Sequence, residues 1–350
     1  LNSGVAHFFR LWLWLTTGMN TREWVAVHRK HHAMVETSDD PHSPSFFGLK
    51  TLLLQGAELY RASAKDKALV QQYGYGTPND WIEVNLYARF RYGGIAIMFL
   101  FNIFCFGPIG ITIGAVQMIW IPFFAAGVIN GLGHRYGYRN FEIDDNSTNL
   151  IPFGIFIGGE ELHNNHHSFA SSAKFSAHRW EVDIGWIYLK ILESLSLAQI
   201  KNVAPGNLEF DLSCADIDLG TLRAIVSNRL HVMADYHRRV VKKVYRQELE
   251  TSSRLARDKL REVANLITCN EKRLNEAERG ALKEALVIHE RLEAVCSFKK
   301  KLNTFYELRT QNYGSLISFL EVWCSQAEKS EITELRTFAR ILRGYKTART

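Results

Sequence analysis

The sequence predicts an all-α protein in two parts: an integral membrane helical domain with a histidine-rich cap (residues 1–204), then a soluble helical extension (residues 205–350). Three observations predict this architecture. Residues 92–129 carry no charged side chain. An H-x-x-H-H motif lies on each side of that uncharged run. After Pro205 and Gly206, apolar residues recur with helical spacing and charged residues fill the positions between them, which is typical of amphipathic helices in a small bundle.

The uncharged run predicts a transmembrane hairpin over about residues 92–129. Gly107 and Pro108 divide it into two apolar segments, and a span takes roughly 20 residues. A hairpin in the core of a soluble protein is the alternative. Basic residues flank the run on both sides and predict that both ends are cytoplasmic: Arg89, Arg91, His134, Arg135 and Arg139. The two H-x-x-H-H motifs are then expected to face the same compartment.

The first residues are dense in Phe, Leu and Trp. Residues 5–17 are too few to cross a bilayer, so we expect the end of a span whose start precedes Leu1, with a buried soluble helix as the alternative. Leu1 is not an initiator methionine, and we expect the sequence to be a fragment that lacks its N-terminus. The five cysteines form no C-x-x-C pair, which argues against a disulfide framework and fits a reducing compartment.

The formal charge of +6 belongs to the extension. From Gly206 onward there are 26 Lys and Arg against 20 Asp and Glu, whereas the first 205 residues hold 16 of each. Basic clusters occur at residues 238–243 and 299–301 and could contact anionic lipid or nucleic acid. Solvated helix faces are the favoured interpretation, and no nucleic-acid partner is expected.

Histidines form the main chemical signal. His28, His31 and His32 repeat the spacing of His163, His166 and His167, and these offsets place three imidazoles on one face of a helix. Imidazole is the commonest neutral ligand for transition metals. His134 lies four residues after Asn130, also on one helical face, and is a further candidate ligand. His42 follows an Asp-Pro turn and is interpreted as a loop histidine.

The number and type of these ligands narrow the chemistry. A zinc site takes three or four protein ligands, so seven histidines indicate two metal ions. Zinc hydrolases of the H-E-x-x-H type need a glutamate beside the first histidine, where this chain has Arg29 or Asn164. An all-nitrogen site at a membrane edge without a hydrolytic base indicates redox iron and dioxygen chemistry.

These motifs resemble those of the membrane fatty acid desaturases, most closely the bacterial members of the acyl-CoA Δ9 (stearoyl-CoA desaturase-like) type. The matching blocks are residues 28–32 with Glu36-Thr37 and Asp40-Pro41-His42, residues 130–134, and residues 163–169. The resemblance covers residues 1 to about 204. It implies two iron ions with a water held by Asn130 and these ligands: His28, His31, His32, His134, His163, His166 and His167.

The resemblance also implies an activity. An O2-dependent enzyme of this kind removes two hydrogens from adjacent methylenes of a saturated acyl-CoA or acyl-lipid and forms a cis double bond, at Δ9 in the resembling type. A separate reduced carrier (ferredoxin, rubredoxin or a cytochrome b5-like protein) supplies electrons. The expected location is a bacterial inner membrane, with the histidine motifs and the extension cytoplasmic. A related membrane hydroxylase, and an inactive fragment that acts only as a membrane interaction protein, are the alternatives.

The resemblance also implies further features of the metal site and of the extension. Another histidine box is expected upstream of Leu1, so the chain is expected to lack two ligands and to be inactive by itself. Carboxylates are expected to orient the imidazoles, and those within sequence reach are Asp39, Asp40, Glu160, Glu161 and Asp183. The extension is similar to one found in some proteobacterial desaturases, and its end resembles the helical ends of some transposases. A regulatory, membrane-docking or carrier-docking role stays open.

Overall fold

The computed structural model describes residues 1–206, 208–214, 216–269, 274–308 and 312–346. The remaining residues, all within the predicted extension, lie outside the described part. The chain divides into two compact units: Leu1–Arg139 with Asp145–Ala204, and Asn140–Asp144 with Pro205–Thr350. Most of the described residues are helical, as the sequence predicts.

The first unit is built from helices joined by short loops. Its α-helices are α1 (Ser3–Thr17), α2 (Thr21–Met34), α3 (Pro44–Phe47), α4 (Leu49–Ala64), α5 (Lys67–Tyr73), α6 (Gly93–Phe106), α7 (Ile109–Ile121), α8 (His163–Ser168) and α9 (Ile184–Ser194). Two π-helical segments, Glu83–Ala88 and Pro122–Leu132, precede α6 and follow α7. Strands β1 (Phe153–Gly154) and β2 (Val182–Asp183) pair in parallel.

The uncharged run forms a helical hairpin, α6 and α7, around a turn at Gly107. Gly110 lies directly against the backbone of Asn102, where a Cβ would come within 2.2 Å of the Asn102 carbonyl oxygen, so only glycine permits this approach. The Asn102 side-chain amide donates to Gln117 Oε1 at 2.9 Å, which gives both polar side chains of the run a partner.

Only one of the two predicted spans is long enough to cross a membrane in the described chain. Ile109–Leu132 has 24 residues and a mean hydropathy of 1.8. Helix α6 has 14 residues, fewer than the roughly 20 that a span takes. Its start is set by packing: Gly93 and Gly94 lie against Trp14 of α1, and a Cβ on Gly94 would come 2.4 Å from the Trp14 carbonyl oxygen.

Helix α1 contains residues 5–17, which the sequence predicts to be the end of a membrane span. Its Trp14 is buried and donates from Nε1 to the Phe90 carbonyl at 2.9 Å, while Phe8 and Trp12 are exposed. Arg10 forms an ion pair with Asp80 at 2.7 Å and another with the buried Glu83 at 3.2 Å. The helix therefore has one face packed by specific polar contacts and one exposed aromatic face.

The second unit is a helical bundle. Its elements are β3 (Glu209–Phe210), α10 (Leu219–Ser227), α11 (Arg229–Tyr236), a π-helical segment (His237–Val241), α12 (Lys242–Thr251), α13 (Arg254–Glu262), α14 (Ala264–Thr268), α15 (Glu276–Ile288), α16 (Glu290–Glu307), α17 (Tyr313–Glu328), α18 (Thr333–Arg343) and β4 (Tyr345–Lys346). Strands β3 and β4 are antiparallel.

The helical spacing in the extension predicts most of its core. Leu222, Ile225 and Leu260 are fully buried in one apolar cluster. Leu255, which has the same spacing, is instead 74% exposed, because α13 begins only at Arg254 and its first turn faces solvent. In the basic clusters, Arg239 pairs with Asp235 at 3.4 Å and Lys301 donates to Gln326, as expected for solvated helix faces.

Candidate metal centre

Helix α2 presents the first histidine motif. Asn20 caps this helix, accepting from the backbone N–H groups of Arg22 and Glu23, and Glu23 places a negative charge in the first turn, where the helix dipole favours it. Because the helix continues to Met34, His28, His31 and His32 project from one face, as their spacing predicts.

The second motif lies on α8, a helix of only six residues whose position depends on a buried polar network. Asn165 donates from its backbone N–H to Asn149 Oδ1, and Asn149 donates back to Asn165 Oδ1, both at 3.1 Å. Asn165 also donates to Glu181 Oε2 at 3.0 Å. These two asparagines and Glu181 are buried, so the network fixes a helix too short to be stable alone.

His134 lies just after the end of the long apolar helix, and its ring lies beside the histidines of both motifs. Thr148 holds the chain on both sides of His134, since its backbone N–H donates to the Gly133 carbonyl at 2.6 Å and its hydroxyl donates to the Tyr136 carbonyl at 2.7 Å. The His134 ring is buried and contacts the rings of His31, His163 and His167.

The seven histidines converge into two neighbouring clusters. The four-histidine cluster consists of His31, His134, His163 and His167, and the three-histidine cluster consists of His28, His32 and His166; within each, one nitrogen per ring lies within 4.8 Å of all the others. Nε2 atoms face one another at 3.1 Å between His163 and His134 and at 2.9 Å between His32 and His166. Adjacent residues in each motif thus enter different clusters.

Carboxylates lie behind three of the imidazoles in the four-histidine cluster. Asp40 Oδ1 is 2.9 Å from His31 Nδ1, Glu36 Oε1 is 3.1 Å from His134 Nδ1, and Asp145 Oδ2 is 3.0 Å from His167 Nδ1. Each carboxylate is an acceptor and favours the proton on Nδ1, so each Nε2 bears a lone pair directed into the cluster.

This donor set fits a metal ion. His31 Nε2 and His167 Nε2 lie 3.3 Å apart, and each bears a lone pair. Two lone pairs that face each other repel, and a cation bound by both nitrogen atoms removes this repulsion. Burial lowers the pKa values of His31, His163 and His167 well below the ordinary value, so these imidazoles are neutral, as ligation requires.

The same burial predicts acid sensitivity of the metal-free protein. Burial lowers the pKa of His28 to about 3, of His32 to about 2 and of His42 to about 4. Because an unfolded histidine titrates near 6.5, the unfolded state binds more protons as the pH falls below that value, and each such histidine costs up to about 2 kcal/mol of stability at pH 5. Burial raises the pKa of Asp40 to about 6, which offsets part of this loss below pH 6.

We therefore expect the midpoint temperature of thermal unfolding of the metal-free protein in detergent to decrease as the pH is lowered from 7 to 5. A His42→Asn variant lacks one of the groups that bind protons on unfolding, so its midpoint should depend less steeply on pH. Equal slopes for the two proteins would contradict the assignment of this histidine as buried and neutral.

A cavity of about 220 Å³ adjoins the three-histidine cluster. Its lining includes apolar side chains of α6, α7 and the π-helical segment that follows α7, together with these polar and charged residues: Glu23, His28, His42, Arg61, Arg91, Asn130 and Glu160. The Asn130 side-chain amide donates to the Ala125 carbonyl at 2.9 Å.

Comparison with known proteins decides the family. Residues 1–183, more than half of the chain, match a family model described as "Fatty acid desaturase". The chain belongs to the fatty acid desaturase family. The match includes all seven clustered histidines, and it agrees with the resemblance that the motifs carry.

Curated relatives of this desaturase family member include plant and cyanobacterial proteins. The chain is 30% identical over 186 residues to "Delta-9 desaturase-like 4 protein" of Arabidopsis thaliana (50% of this chain, 58% of the relative). It is 31% identical over 185 residues to "Acyl-CoA 5-desaturase AL21" of Anemone leveillei (50% and 54%). It is 30% identical over 179 residues to "sn-1 stearoyl-lipid 9-desaturase" of Anabaena variabilis (50% and 63%). The chain spans somewhat over half the length of these relatives.

The rest of the chain matches a different family. Residues 221–348 match a family model described as "Transposase". The match covers most of the second unit and agrees with the resemblance of its end to the helical ends of some transposases. The desaturase match ends at residue 183, so the two similarities do not overlap.

The structure corrects the expected set of orienting carboxylates. Asp40 contacts an imidazole as predicted, whereas Asp39 is exposed, Glu161 accepts from the backbone of Phe156 and Ile157, and Asp183 caps α9. Glu160 lies 3.9 Å from His166 Nε2. Sequence reasoning missed Glu36 and Asp145. An acidic residue four positions after His32, and an Asp-Asp-Asn sequence between the second and third histidine blocks, were the available signals.

His42 is also more closely involved than a loop histidine. It is buried, its ring centre is 4.3 Å from that of His31, and its Nδ1 is 3.8 Å from Asp40 Oδ1. It lines the cavity beside His28. His7, in contrast, belongs to neither cluster and stacks on Tyr87.

Proposed function

We propose that residues 1–204 form a desaturase domain that binds two iron ions at the two histidine clusters and introduces a cis double bond, at Δ9, into a saturated fatty acyl chain. One observation carries this proposal: seven imidazoles from three separate chain segments converge with their Nε2 atoms facing one another. The proposed ligands are His28, His31, His32, His134, His163, His166 and His167, with Asn130 acting through a water. Residues 205–350 form a separate helical extension in this proposal.

Iron bound at these clusters would supply the redox chemistry with O2 that removal of hydrogen from unactivated methylenes requires. The chain's residues do the rest. Asp40, Glu36 and Asp145 keep protons on Nδ1 and so keep the Nε2 lone pairs available. Overall, R–CH2–CH2–R′ and O2 with two electrons and two protons give R–CH=CH–R′ and two waters. The electrons come from a ferredoxin, a rubredoxin or a cytochrome b5-like carrier.

The cavity is the proposed site of the acyl chain. Its walls include Ile95, Met118, Ile121 and Ala125, which suit an alkyl chain and exclude water. His28 lines it, so a chain lying in it can place a methylene next to a proposed ligand. The names of the relatives include acyl-CoA and acyl-lipid desaturases, and either form of substrate agrees with this cavity.

We place Ile109–Leu132 across a bilayer, with α6 beside it. Little of the longer helix is buried within the protein, as expected for a helix that faces lipid. Arg89, Arg91 and Arg135 flank the hairpin and support a cytoplasmic location for both of its ends, in the inner membrane of a bacterium.

The test measures metal and product together. The full chain is purified by itself and also preceded by the upstream segment of the Anabaena variabilis relative, and iron is counted by mass spectrometry. Both proteins are expressed in cells that lack unsaturated fatty acids, whose lipids are then analysed by gas chromatography. We expect two irons per chain and a new cis double bond in the extended protein. A hydroxylated acyl chain would favour the related hydroxylase, and an extended protein without iron would contradict the proposal.

A further inference from the structure

We propose that Glu36 is a positioning residue that prepares the four-histidine cluster, and not the three-histidine cluster, for its metal ion. This inference rests on the proposed function, because it assigns separate support to each of the two clusters. Glu36 follows α2 in a loop, four residues after His32, and none of its atoms belongs to a cluster. Its contacts lead to three of the four imidazoles.

The first contact is direct. Glu36 Oε1 lies 3.1 Å from His134 Nδ1, and the His134 side chain is fully buried. His134 is the ligand that comes from neither H-x-x-H-H motif. The Glu36 carboxylate is therefore what fixes the proton and the ring orientation of the histidine that joins the two motifs.

The second contact runs through a loop. Glu36 Oε1 accepts from the backbone N–H of Asn146 at 2.8 Å, and Oε2 accepts from the Asn146 side-chain amide. The neighbouring residue, Asp145, lies 3.0 Å from His167 Nδ1 through its Oδ2. By holding Asn146 with two hydrogen bonds, Glu36 places the Asp145 carboxylate behind a second imidazole.

The third contact uses the backbone. The Glu36 N–H donates to Asp40 Oδ2 at 2.9 Å, while Asp40 Oδ1 lies 2.9 Å from His31 Nδ1. One residue thus supports His134 by its side chain, His167 through Asn146 and Asp145, and His31 through Asp40.

The conformation of Glu36 agrees with this role. Its φ is +60°, a left-handed conformation that a residue with a Cβ adopts at a cost and that glycine adopts freely. Glycine would suit the loop better, so the backbone alone does not account for a glutamate at this position. The three contacts of the carboxylate, one with His134 and two with Asn146, do.

The three-histidine cluster has different surroundings. His28 stacks on Trp24 with ring centres 5.1 Å apart, and His166 packs on Phe175 at 4.5 Å. The carboxylate near it is Glu160, which lies 3.9 Å from His166 Nε2 and also 3.8 Å from His163 Nδ1 of the four-histidine cluster. Among the hydrogen bonds of the described residues, those of Glu36 reach neither His28, His32 nor His166, and loss of its carboxylate is expected to affect one cluster selectively.

The test titrates Co²⁺ into the purified, metal-free full chain and follows bound metal by mass spectrometry and by the visible absorption of cobalt. The wild type is expected to bind two ions. Glu36→Gln keeps the shape but removes the negative charge and replaces one carboxylate oxygen with an NH2 group that faces another donor, so we expect one ion to bind about 10–100-fold more weakly and the other to bind unchanged. Asp39→Asn is the matched control: it removes an exposed carboxylate from the same loop and should titrate like the wild type.

The Glu36→Gly variant distinguishes the effect of losing the carboxylate from the effect of the backbone conformation. Glycine relieves the left-handed strain, so its unfolding midpoint should not fall below that of Glu36→Gln, yet it should lose the same ion and the same part of the cobalt spectrum. A Glu36→Gln protein that binds both ions like the wild type would overturn the role of Glu36 alone. Equal weakening at both clusters would overturn the selectivity. A wild type that binds no cobalt would overturn the proposed function together with this inference.

Discussion

Replacing His31 with Asn is expected to empty the four-histidine cluster while the other cluster still binds its ion, and replacing His32 with Asn is expected to do the reverse. The cause is the geometry of α2. His31 Nε2 faces His167 at 3.3 Å, whereas His32 Nε2 faces His166 at 2.9 Å, so two adjacent residues enter different clusters.

Each variant should bind one metal ion in place of two, with at least about a hundredfold loss of affinity at the affected cluster, because loss of a ligand is more severe than loss of the group that orients it. Neither should form a double bond in the protein extended by the relative's upstream segment, since the proposed reaction uses both ions. Metal content by mass spectrometry and cellular lipids by gas chromatography measure the two effects.

His178→Asn is the matched control for both substitutions. His178 lies after α8, stacks on Trp180 with ring centres 5.5 Å apart, and belongs to neither cluster. It should keep both metal ions and the activity. If His31→Asn and His32→Asn each lost both ions to the same extent, the two clusters would not be separate sites.

The fold could be predicted from the sequence where one periodicity decides the structure. The uncharged run forms a helical hairpin around Gly107 because it consists of two apolar segments that Gly107 and Pro108 divide, and the extension forms a bundle because its apolar residues keep helical spacing. The length of α6 could not be predicted. It depends on the approach of Gly94 to Trp14, a tertiary contact between residues 80 apart in sequence, which hydropathy does not contain.

In the candidate site, too, local periodicity could be predicted from the sequence and tertiary contacts could not. The histidine ligands could be predicted because any α-helix, buried or exposed, puts residues at offsets 0, 3 and 4 on one face. Asp40 was among the carboxylates expected near them, but the other two partners were not: Glu36 and Asp145 lie 98 and 22 residues from the histidines they contact, and loops determine those distances. The candidates within sequence reach included Glu161 and Asp183, whose carboxylates instead accept backbone N–H groups near α8 and α9. Proximity in sequence is a poor guide to the groups behind a ligand.

Replacing Ala125 with Phe is expected to stop double-bond formation without removing metal. Ala125 lines the cavity in the π-helical segment, between Ile121 and Asn130, and a phenyl ring there would occupy space in a cavity of about 220 Å³. A saturated chain would then fail to reach the clusters, because the path beside His28 is blocked. The clustered imidazoles and their carboxylates do not include Ala125, so the metal content should stay at two ions per chain.

Val116→Phe is the matched control for this substitution. Val116 lies on the same long helix, is 56% exposed and does not line the cavity, so it adds a phenyl ring on the outer face. It should retain the metal and the activity of the wild type. Gas chromatography, iron content and the unfolding midpoint are measured for both variants in the extended protein. If Ala125→Phe folded, bound two irons and still formed the wild-type amount of product, the acyl chain would lie elsewhere, while the metal assignment would stand.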